Sequence, residues 1–292
     1  MGRPRGVVRH GVRFRLIVCG VLAALSSTAA NADDVLFFGN SFTFGASVPG
    51  LSDNGGVPKM VEEIAATKAR QLTAESLTSP GVTFGYHLAQ PATATALAAK
   101  TWTWVVLQDY STEPTRMGDV SKFMQDGISF SNRIAQHSPR AGIVLYETWA
   151  RPPGVFYQTL GGRQFTGPTD MMADLHSSYD ALGKKLAAIN PNRPVRVALV
   201  GTAFARCHAE FPDLVLDAAD HHHATQEGYY LAAMVIFEVI YHQSATDAPL
   251  IFFNGVVSIP PTDAPKLQQV ADEVSGTWDP RPALKRTAKS QP

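Results

Sequence analysis

Short apolar runs alternate with longer amphipathic segments along most of the chain. The apolar runs are rich in valine, leucine, isoleucine and phenylalanine, and the clearest reads W-V-V-L-Q over residues 104–108. Runs of this length, bounded by turn residues, are typical of buried strands. The predicted strands cover residues 35–38, 72–77, 104–108, 142–146 and 195–200, and the predicted helices cover residues 57–70, 117–137, 170–189 and 225–242.

This alternation predicts an α/β fold. Five strands separated by helices indicate a three-layer sandwich with a central five-stranded parallel sheet, and right-handed crossovers place helices on both of its faces. Ligands of such sheets bind beyond the carboxyl ends of the strands, so chemistry is expected in the loops at that edge. Those loops follow Phe38, Leu77, Gln108, Tyr146 and Val200. A Gly/Pro-rich segment over residues 151–168 is a candidate rim or lid.

The first 32 residues differ in character from the rest of the chain. Residues 1–15 carry five arginines and no acidic residue, and an apolar run and small residues ending A-N-A at Ala32 follow them. This order is typical of a secretory signal peptide. We therefore expect cleavage after Ala32 and a single exported domain over residues 33–292, either periplasmic or secreted. A membrane anchor is the alternative, but the apolar run is short for a bilayer core.

Charge and composition argue against nucleic acid and membrane as partners of the protein. The chain has 25 basic and 25 acidic residues, and losing the five arginines of the leader leaves 20 against 25, a net charge of −5. Because there is no basic excess, nucleic acid is not an expected partner. No later apolar run is long enough to span a bilayer, so no stable membrane insertion is expected after cleavage. The two cysteines, Cys19 and Cys207, exclude a disulfide scaffold.

A serine follows the first predicted strand, in the run Gly39-Asn40-Ser41-Phe42-Thr43. This serine would lie on a tight turn at the carboxyl end of the strand, facing the amides of any helix that follows. That position suits a nucleophile and a developing oxyanion. The alternative is an ordinary turn in which the serine caps a helix.

The run Asp220-His221-His222-His223 stands directly before a long apolar helix. A serine hydroxyl needs a base, and imidazole suits that role when a carboxylate orients it. The spacing of three residues lets one loop supply both Asp220 and His223. One alternative is a capped helix start with exposed histidines. Another is a metal site formed by His208, Asp220 and the three histidines, although the H-x-x-x-H spacing of a helical metal pair is missing.

Together these two runs resemble the end blocks of the SGNH (GDSL-like) hydrolases, a superfamily of esterases and deacetylases. G-N-S-F-T over residues 39–43 is similar to the Gly-Asp-Ser-Leu block of the family, and D-H-H-H over residues 220–223 to its D-x-x-H block. A G-x-Y-L-A-A run starting five residues after His223 selects that histidine. The resemblance implies a flavodoxin-like SGNH fold, with Ser41 as nucleophile, His223 as base and Asp220 orienting it, and no cofactor or metal.

The resemblance also implies an oxyanion hole with three donors: the amide of the nucleophile, a glycine after the second strand and an asparagine after the third. Ser41 supplies the first donor, and Gly81 is the best match to the second, with Gly85 as a competing choice. The third donor departs from the pattern because Q-D-Y-S-T follows the third strand. Gln108 and Ser111 are the candidate replacements, and Gln108 is alternatively a buried structural amide.

Three other candidates are weaker. Asn40, which replaces the aspartate of the family block, and Trp149 are candidate substrate-binding residues. Trp149 follows the fourth strand in a T-W run similar to that of bacterial members, where it could line an acyl or sugar pocket or belong to the core. Cys207 beside His208 could suggest a thiol nucleophile with its base, but adjacent residues rarely face each other.

These observations predict an exported serine esterase or deacetylase that acts through an acyl-enzyme. Its expected partner is a small-molecule or carbohydrate ester, with a small acyl group. An acyltransferase using the same residues is one alternative. A non-catalytic exported glycan-binding protein that kept the fold is another, and the missing asparagine favours it. The sequence indicates neither the substrate nor the oligomeric state.

Overall fold

The structure is a computed structural model that describes residues 1–2, 32–155 and 164–279. Nearly all of the predicted signal peptide lies outside the described residues, as do residues 156–163 of the predicted rim. Both remain predictions from the sequence.

Five parallel strands form the central sheet, in the order β2-β1-β3-β4-β5. They are β1 (Asp33–Gly39), β2 (Leu72–Thr78), β3 (Trp104–Leu107), β4 (Gly142–Tyr146) and β5 (Val195–Ala198). The register pairs Phe38 of β1 with Leu77 of β2 and with Leu107 of β3. The carboxyl ends of the strands therefore meet at one edge, and the predicted α/β fold with a five-stranded parallel sheet is confirmed.

Helices cover both faces of the sheet. One layer contains α2 (Gly56–Thr67), α7 (Val200–Glu210), α8 (Gln226–Tyr241) and α9 (Ala264–Val274). The other contains α3 (Phe84–Ala89), α4 (Pro91–Ala98), α5 (Val120–His137) and α6 (Pro168–Ile189). In the described part of the chain, no helix is both long and apolar enough to cross a bilayer.

The two layers explain why β1 reads as a continuous apolar run. Val35 and Phe37 pack into the core on the α8 side, whereas Leu36 and Phe38 pack into the core on the α5 side. All four side chains are buried. A parallel strand covered on both faces loses the polar alternation of a half-exposed strand. The nucleophile candidate, Ser41, thus directly follows an interior strand that is buried on both faces.

The structure differs from the predicted elements at several places. Val200, predicted to end the fifth strand, begins α7 instead. The start of α5 lies at Val120 rather than Met117, because Asp119 caps the helix through a bond from the amide of Lys122. Among the described residues, five α-helices were not predicted, namely α1 (Ser41–Phe44), α3, α4, α7 and α9, nor was the short hairpin of β6 (Ile251–Phe252) and β7 (Val257–Ser258).

Candidate active site

The nucleophile candidate lies on a short turn at the end of β1. Ser41 is the first residue of α1 (Ser41–Phe44), and Asn40 caps that helix by accepting a bond from the amide of Phe42 at 3.2 Å. Gly39 must be glycine, because a Cβ there would lie 2.1 Å from Oγ1 of Thr43. Ser41 remains 7% exposed at the edge of the sheet where ligands are expected.

The side chains of Asn40 and Gln108 connect this turn to the neighbouring loops by hydrogen bonds. The Asn40 side-chain amide donates to the carbonyl of Val82 at 3.0 Å and to that of Asp109 at 3.4 Å. Gln108 Oε1 accepts bonds from the amide of Asn40 and the hydroxyl of Thr43, both at 2.9 Å. Its Nε2 donates to the carbonyl of Asp109. Both side chains are buried and are engaged within the protein, which is the arrangement of a structural amide.

Asp109 is a buried acid beneath the same turn. Its Oδ1 accepts bonds from the amides of Phe84 at 2.8 Å and Tyr110 at 2.7 Å, whereas its Oδ2 is buried with no hydrogen-bond partner among the described residues. Burial raises the pKa of Asp109 to about 8, against the lowering effect of the two amides. The side chain is therefore mostly protonated at neutral pH.

This shift predicts a pH-dependent difference in stability between the wild type and Asp109→Asn. The folded-state pKa lies above the unfolded value, so the native state binds more protons and loses stability as pH rises from about 4 to about 8. Asparagine keeps the acceptor for both amides and does not ionise. Between pH 5 and pH 7 the wild type should lose about 1.4 kcal/mol per pH unit relative to the variant, measured by urea unfolding. A difference that does not change with pH would contradict the assignment.

The base candidate is held by its carboxylate. Nδ1 of His223 donates to Oδ2 of Asp220 at 2.6 Å, and Oδ1 of Asp220 accepts the amides of His222 and His223 at 2.9 Å each. His221 adopts a left-handed φ of 55°, which turns the loop so that both amides point at the carboxylate. Partial burial acts to raise the pKa of Asp220, but the bonds from His223 and the two amides hold it well below its ordinary value.

The structure brings this pair to the nucleophile turn. The ring of Phe42, the residue after Ser41, lies 5.7 Å from the His223 ring and 5.1 Å from the His222 ring between centroids. The hydroxyl of Tyr229, in the helix after the histidine loop, donates to the carbonyl of Ser41 at 3.4 Å. Nε2 of His223 is buried and has no hydrogen-bond partner in the described part of the chain. It is therefore free to accept a proton.

Two backbone donors are available for an oxyanion. Among hydrogen bonds between described residues, none is donated by the amide of Ser41 or of Gly81. Gly81 has a φ of +64°, a conformation that favours glycine, and the next residue, Val82, is bonded to Asn40. Gly85, the competing choice, faces α5, because a Cβ there would lie 2.6 Å from Asp126. The geometry thus favours Gly81 over Gly85.

Trp149 is fully buried at 0% exposure. Its indole ring stacks between Phe42, at 4.1 Å, and Phe204, at 4.5 Å, with both ring pairs nearly parallel. Phe204 also lines an apolar cavity of about 670 Å³ between α6 and α7. Trp149 is therefore a core residue that packs against the Phe42 ring, next to Ser41. It also lies between Phe42 and the cavity-lining Phe204.

The structure adds Arg151, which the sequence analysis did not single out. It follows β4 in the loop that carries Trp149 and is only 2% exposed. Its guanidinium donates to Oγ of Ser111 at 2.7 Å and to the carbonyl of His222 at 3.4 Å. Burial and the charge of Arg151 lower the pKa of His222 to about 4, so the imidazole beside His223 is neutral at pH 7. Nothing in the sequence around Arg151 indicates that it contacts Ser111 and His222, which are distant along the chain.

The structure does not favour the two other chemical alternatives, a metal site and a thiol nucleophile at Cys207. His208 pairs with Asp217 at 2.9 Å rather than with Asp220. No group of three side chains suited to a metal occurs among residues 32–155 and 164–279. Cys207 is buried, and burial raises the pKa of its thiol to about 12, which disfavours the thiolate that a nucleophile requires.

Comparison with known proteins identifies the fold. No protein-family model and no curated protein matches the chain. A DUF4886 family protein from Bacteroides uniformis matches with a TM-score of 0.61 and 16% identity over 83% of this chain and 94% of that one. A family 3 carbohydrate esterase from Clostridium thermocellum matches with a TM-score of 0.52 and 10% identity over 71% and 94%. The esterase EstA from Pseudoalteromonas sp., in a structure inhibited by monoethylphosphonate, matches with a TM-score of 0.50 and 15% identity over 72% and 97%.

At these identities the similarity establishes the fold. It is the three-layer α/β sandwich that the resemblance to the SGNH hydrolases predicted, and solved structures of esterases share it. The chemistry must be argued from the residues of this chain.

Proposed function

We propose that this protein is a serine ester hydrolase of the SGNH type, acting through an acyl-enzyme. One observation carries the proposal. The pair of His223 and Asp220 presents a buried Nε2, which has no hydrogen-bond partner among the described residues, beside Phe42, the residue that follows Ser41. Because a carboxylate only accepts hydrogen bonds, Nδ1 carries the ring proton and Nε2 keeps its lone pair in the neutral ring.

Each residue then has a defined role in the formation and hydrolysis of the acyl-enzyme. Nε2 of His223 takes the hydroxyl proton of Ser41 while Oγ bonds to the ester carbonyl carbon and the π pair moves to the carbonyl oxygen. The amides of Ser41 and Gly81 stabilise that oxyanion. The C–O bond to the alcohol breaks as His223 returns the proton to the leaving oxygen. Water, deprotonated by His223, then bonds to the acyl carbon, and the bond from that carbon to Oγ breaks as His223 returns the proton to Ser41 and the acid leaves.

Two features support this class over a glycan-binding protein. A carboxylate that orients a histidine beside a serine serves proton transfer from that serine, which glycan binding does not require. Esterases are also among the proteins that share the fold, one of them inhibited by a phosphonate. An acyltransferase would use the same residues with a different acceptor. For the substrate we propose a small acyl ester, on a carbohydrate or another alcohol.

Export is a separate part of the proposal. The arginine-rich, apolar and small-residue segments of residues 1–32 support cleavage after Ala32 and a periplasmic or secreted protein. Sequencing the amino terminus of the exported chain tests this, and a terminus other than Asp33 would overturn the assigned cleavage site.

The experiment that tests the chemistry is labelling by a fluorophosphonate, with p-nitrophenyl acetate hydrolysis measured in parallel. Oγ of Ser41 should bond to phosphorus with loss of fluoride, and peptide mass spectrometry should find the adduct on Ser41. Heat-denatured protein serves as the control and should not label. Hydrolysis should persist in EDTA, because no step uses a metal. Absence of labelling, or an adduct on another residue, would contradict the proposal.

A further inference from the structure

The third oxyanion donor is missing from the sequence pattern, and the structure offers a replacement. We propose that the hydroxyl of Ser111 is this donor and that Arg151 is the positioning residue that aims and polarises it. The inference rests on the proposed function and adds to it a charged element that neither end block of the sequence contains.

The first step is the location of Arg151. Its guanidinium carbon lies 5.6 Å from the centre of the Phe42 ring, and its nitrogens contact Ser111 and His222. These three residues belong to the nucleophile turn, the loop after β3 and the histidine loop. One buried cation therefore joins all three segments of the candidate site. A buried charge is costly unless hydrogen bonds compensate it, so its retention requires a specific set of partners.

The second step is the direction of the Ser111 hydroxyl. Its oxygen accepts from Nη2 of Arg151 at 2.7 Å, and the side chain is 2% exposed. A hydroxyl has one proton to donate, and among the described residues Ser111 donates it to none. A bond received from a charged donor polarises the O–H group and makes it a stronger donor in turn. This proton is therefore available to a developing oxyanion.

The third step removes the competing candidate. The Gln108 amide oxygen accepts from Asn40 and Thr43, and its nitrogen donates to the carbonyl of Asp109. Ser111 is the other polar side chain of the loop that the resemblance offered. The loop reaches the nucleophile turn two residues earlier, where the carbonyl of Asp109 accepts from Asn40, the neighbour of Ser41. The loop is thus tied to the nucleophile turn through the bond from Asn40 to Asp109, and Ser111, two residues further along, is bonded to Arg151.

The chemistry explains why the pair would matter in the transition state. When Oγ of Ser41 bonds to the carbonyl carbon, negative charge grows on the carbonyl oxygen. The Ser111 hydroxyl would bond that oxygen, and the guanidinium one hydrogen bond behind it would favour the growing charge. The neutral ester in the ground state gains much less from this field, so the effect falls on kcat rather than on KM.

The test is a double-mutant cycle on p-nitrophenyl acetate hydrolysis and on the rate of fluorophosphonate labelling. Ser111→Ala and Arg151→Met should each lower kcat by about 100-fold with KM changed less than threefold. The double variant should fall no further than Ser111→Ala, because Arg151 acts through Ser111. Arg151→Lys, which keeps the charge and one donor, should recover part of kcat.

Arg196→Met is the control for loss of a partly buried guanidinium outside the candidate site. Arg196 also stacks on an aromatic ring, Trp104 at 4.6 Å, and donates to main-chain carbonyls, including that of Ile240 at 2.7 Å. It should lower thermal stability without changing kcat. The inference is overturned if Arg151→Met behaves like this control, or if the effects of the two site variants multiply. Failure of the wild type to label or to hydrolyse would instead overturn the proposed function itself.

Discussion

Replacing Ser41 with alanine is expected to reduce kcat for ester hydrolysis by at least about 10⁴-fold and to abolish fluorophosphonate labelling. The reason is that the variant has no oxygen at the atom that must bond to the acyl carbon. The backbone amides of Ser41 and Gly81 are kept in the variant, so a small residual rate from oxyanion stabilisation should persist. Steady-state kinetics with p-nitrophenyl acetate measure the loss directly.

A matched control separates this loss from a general disturbance of the loop. The hydroxyl of Ser47 donates to the carbonyl of Ala224, directly after His223, so Ser47→Ala removes a serine hydroxyl near the same loop. It should change kcat by less than about tenfold, because it removes a neutral hydrogen bond rather than the reacting atom. Both variants should unfold within about 1 kcal/mol of the wild type. A Ser41→Ala protein with more than a tenth of wild-type activity would contradict the nucleophile assignment.

Local sequence patterns were enough to predict the sheet, the turn that carries Ser41 and the pairing of Asp220 with His223. Residues 35–38 are apolar on both faces because helices cover both faces, and the turn after them needs Gly39 for close approach to Thr43. The pairing of His223 with Asp220 also follows from a spacing of three residues within one loop. Features of this kind depend on neighbours in the chain, which a single sequence displays.

The features that the sequence did not indicate depend on contacts between distant segments. Arg151 contacts Ser111 and His222, which lie 40 and 71 positions away, and no spacing rule connects them. Gln108 looked equally suited to donate to an oxyanion until its partners Asn40 and Thr43 were placed. Helix α7 was missed because its apolar start at Val200 continues the apolar run of β5.

The Asp220→Asn variant is expected to lose kcat by about 10⁴-fold while it stays folded. Asparagine would keep its carbonyl oxygen toward the amides of His222 and His223, because turning its NH₂ group toward those two donors would sacrifice both bonds. Its NH₂ group would then donate to Nδ1 of His223. That bond forces the proton onto Nε2, and the ring can no longer accept a proton from Ser41.

Asp217→Asn supplies the control, because Asp217 also pairs with a histidine, through Nε2 of His208 at 2.9 Å, and the substitution removes one negative charge as Asp220→Asn does. It should alter kcat by less than about threefold, since neither residue touches the proposed reacting atoms. Circular dichroism and urea unfolding verify that both variants are folded. If the two variants lost activity equally, the loss would reflect net charge, and Asp220 would have no particular role. A large loss confined to Asp220→Asn would instead show that the tautomer of His223 decides whether Ser41 can react.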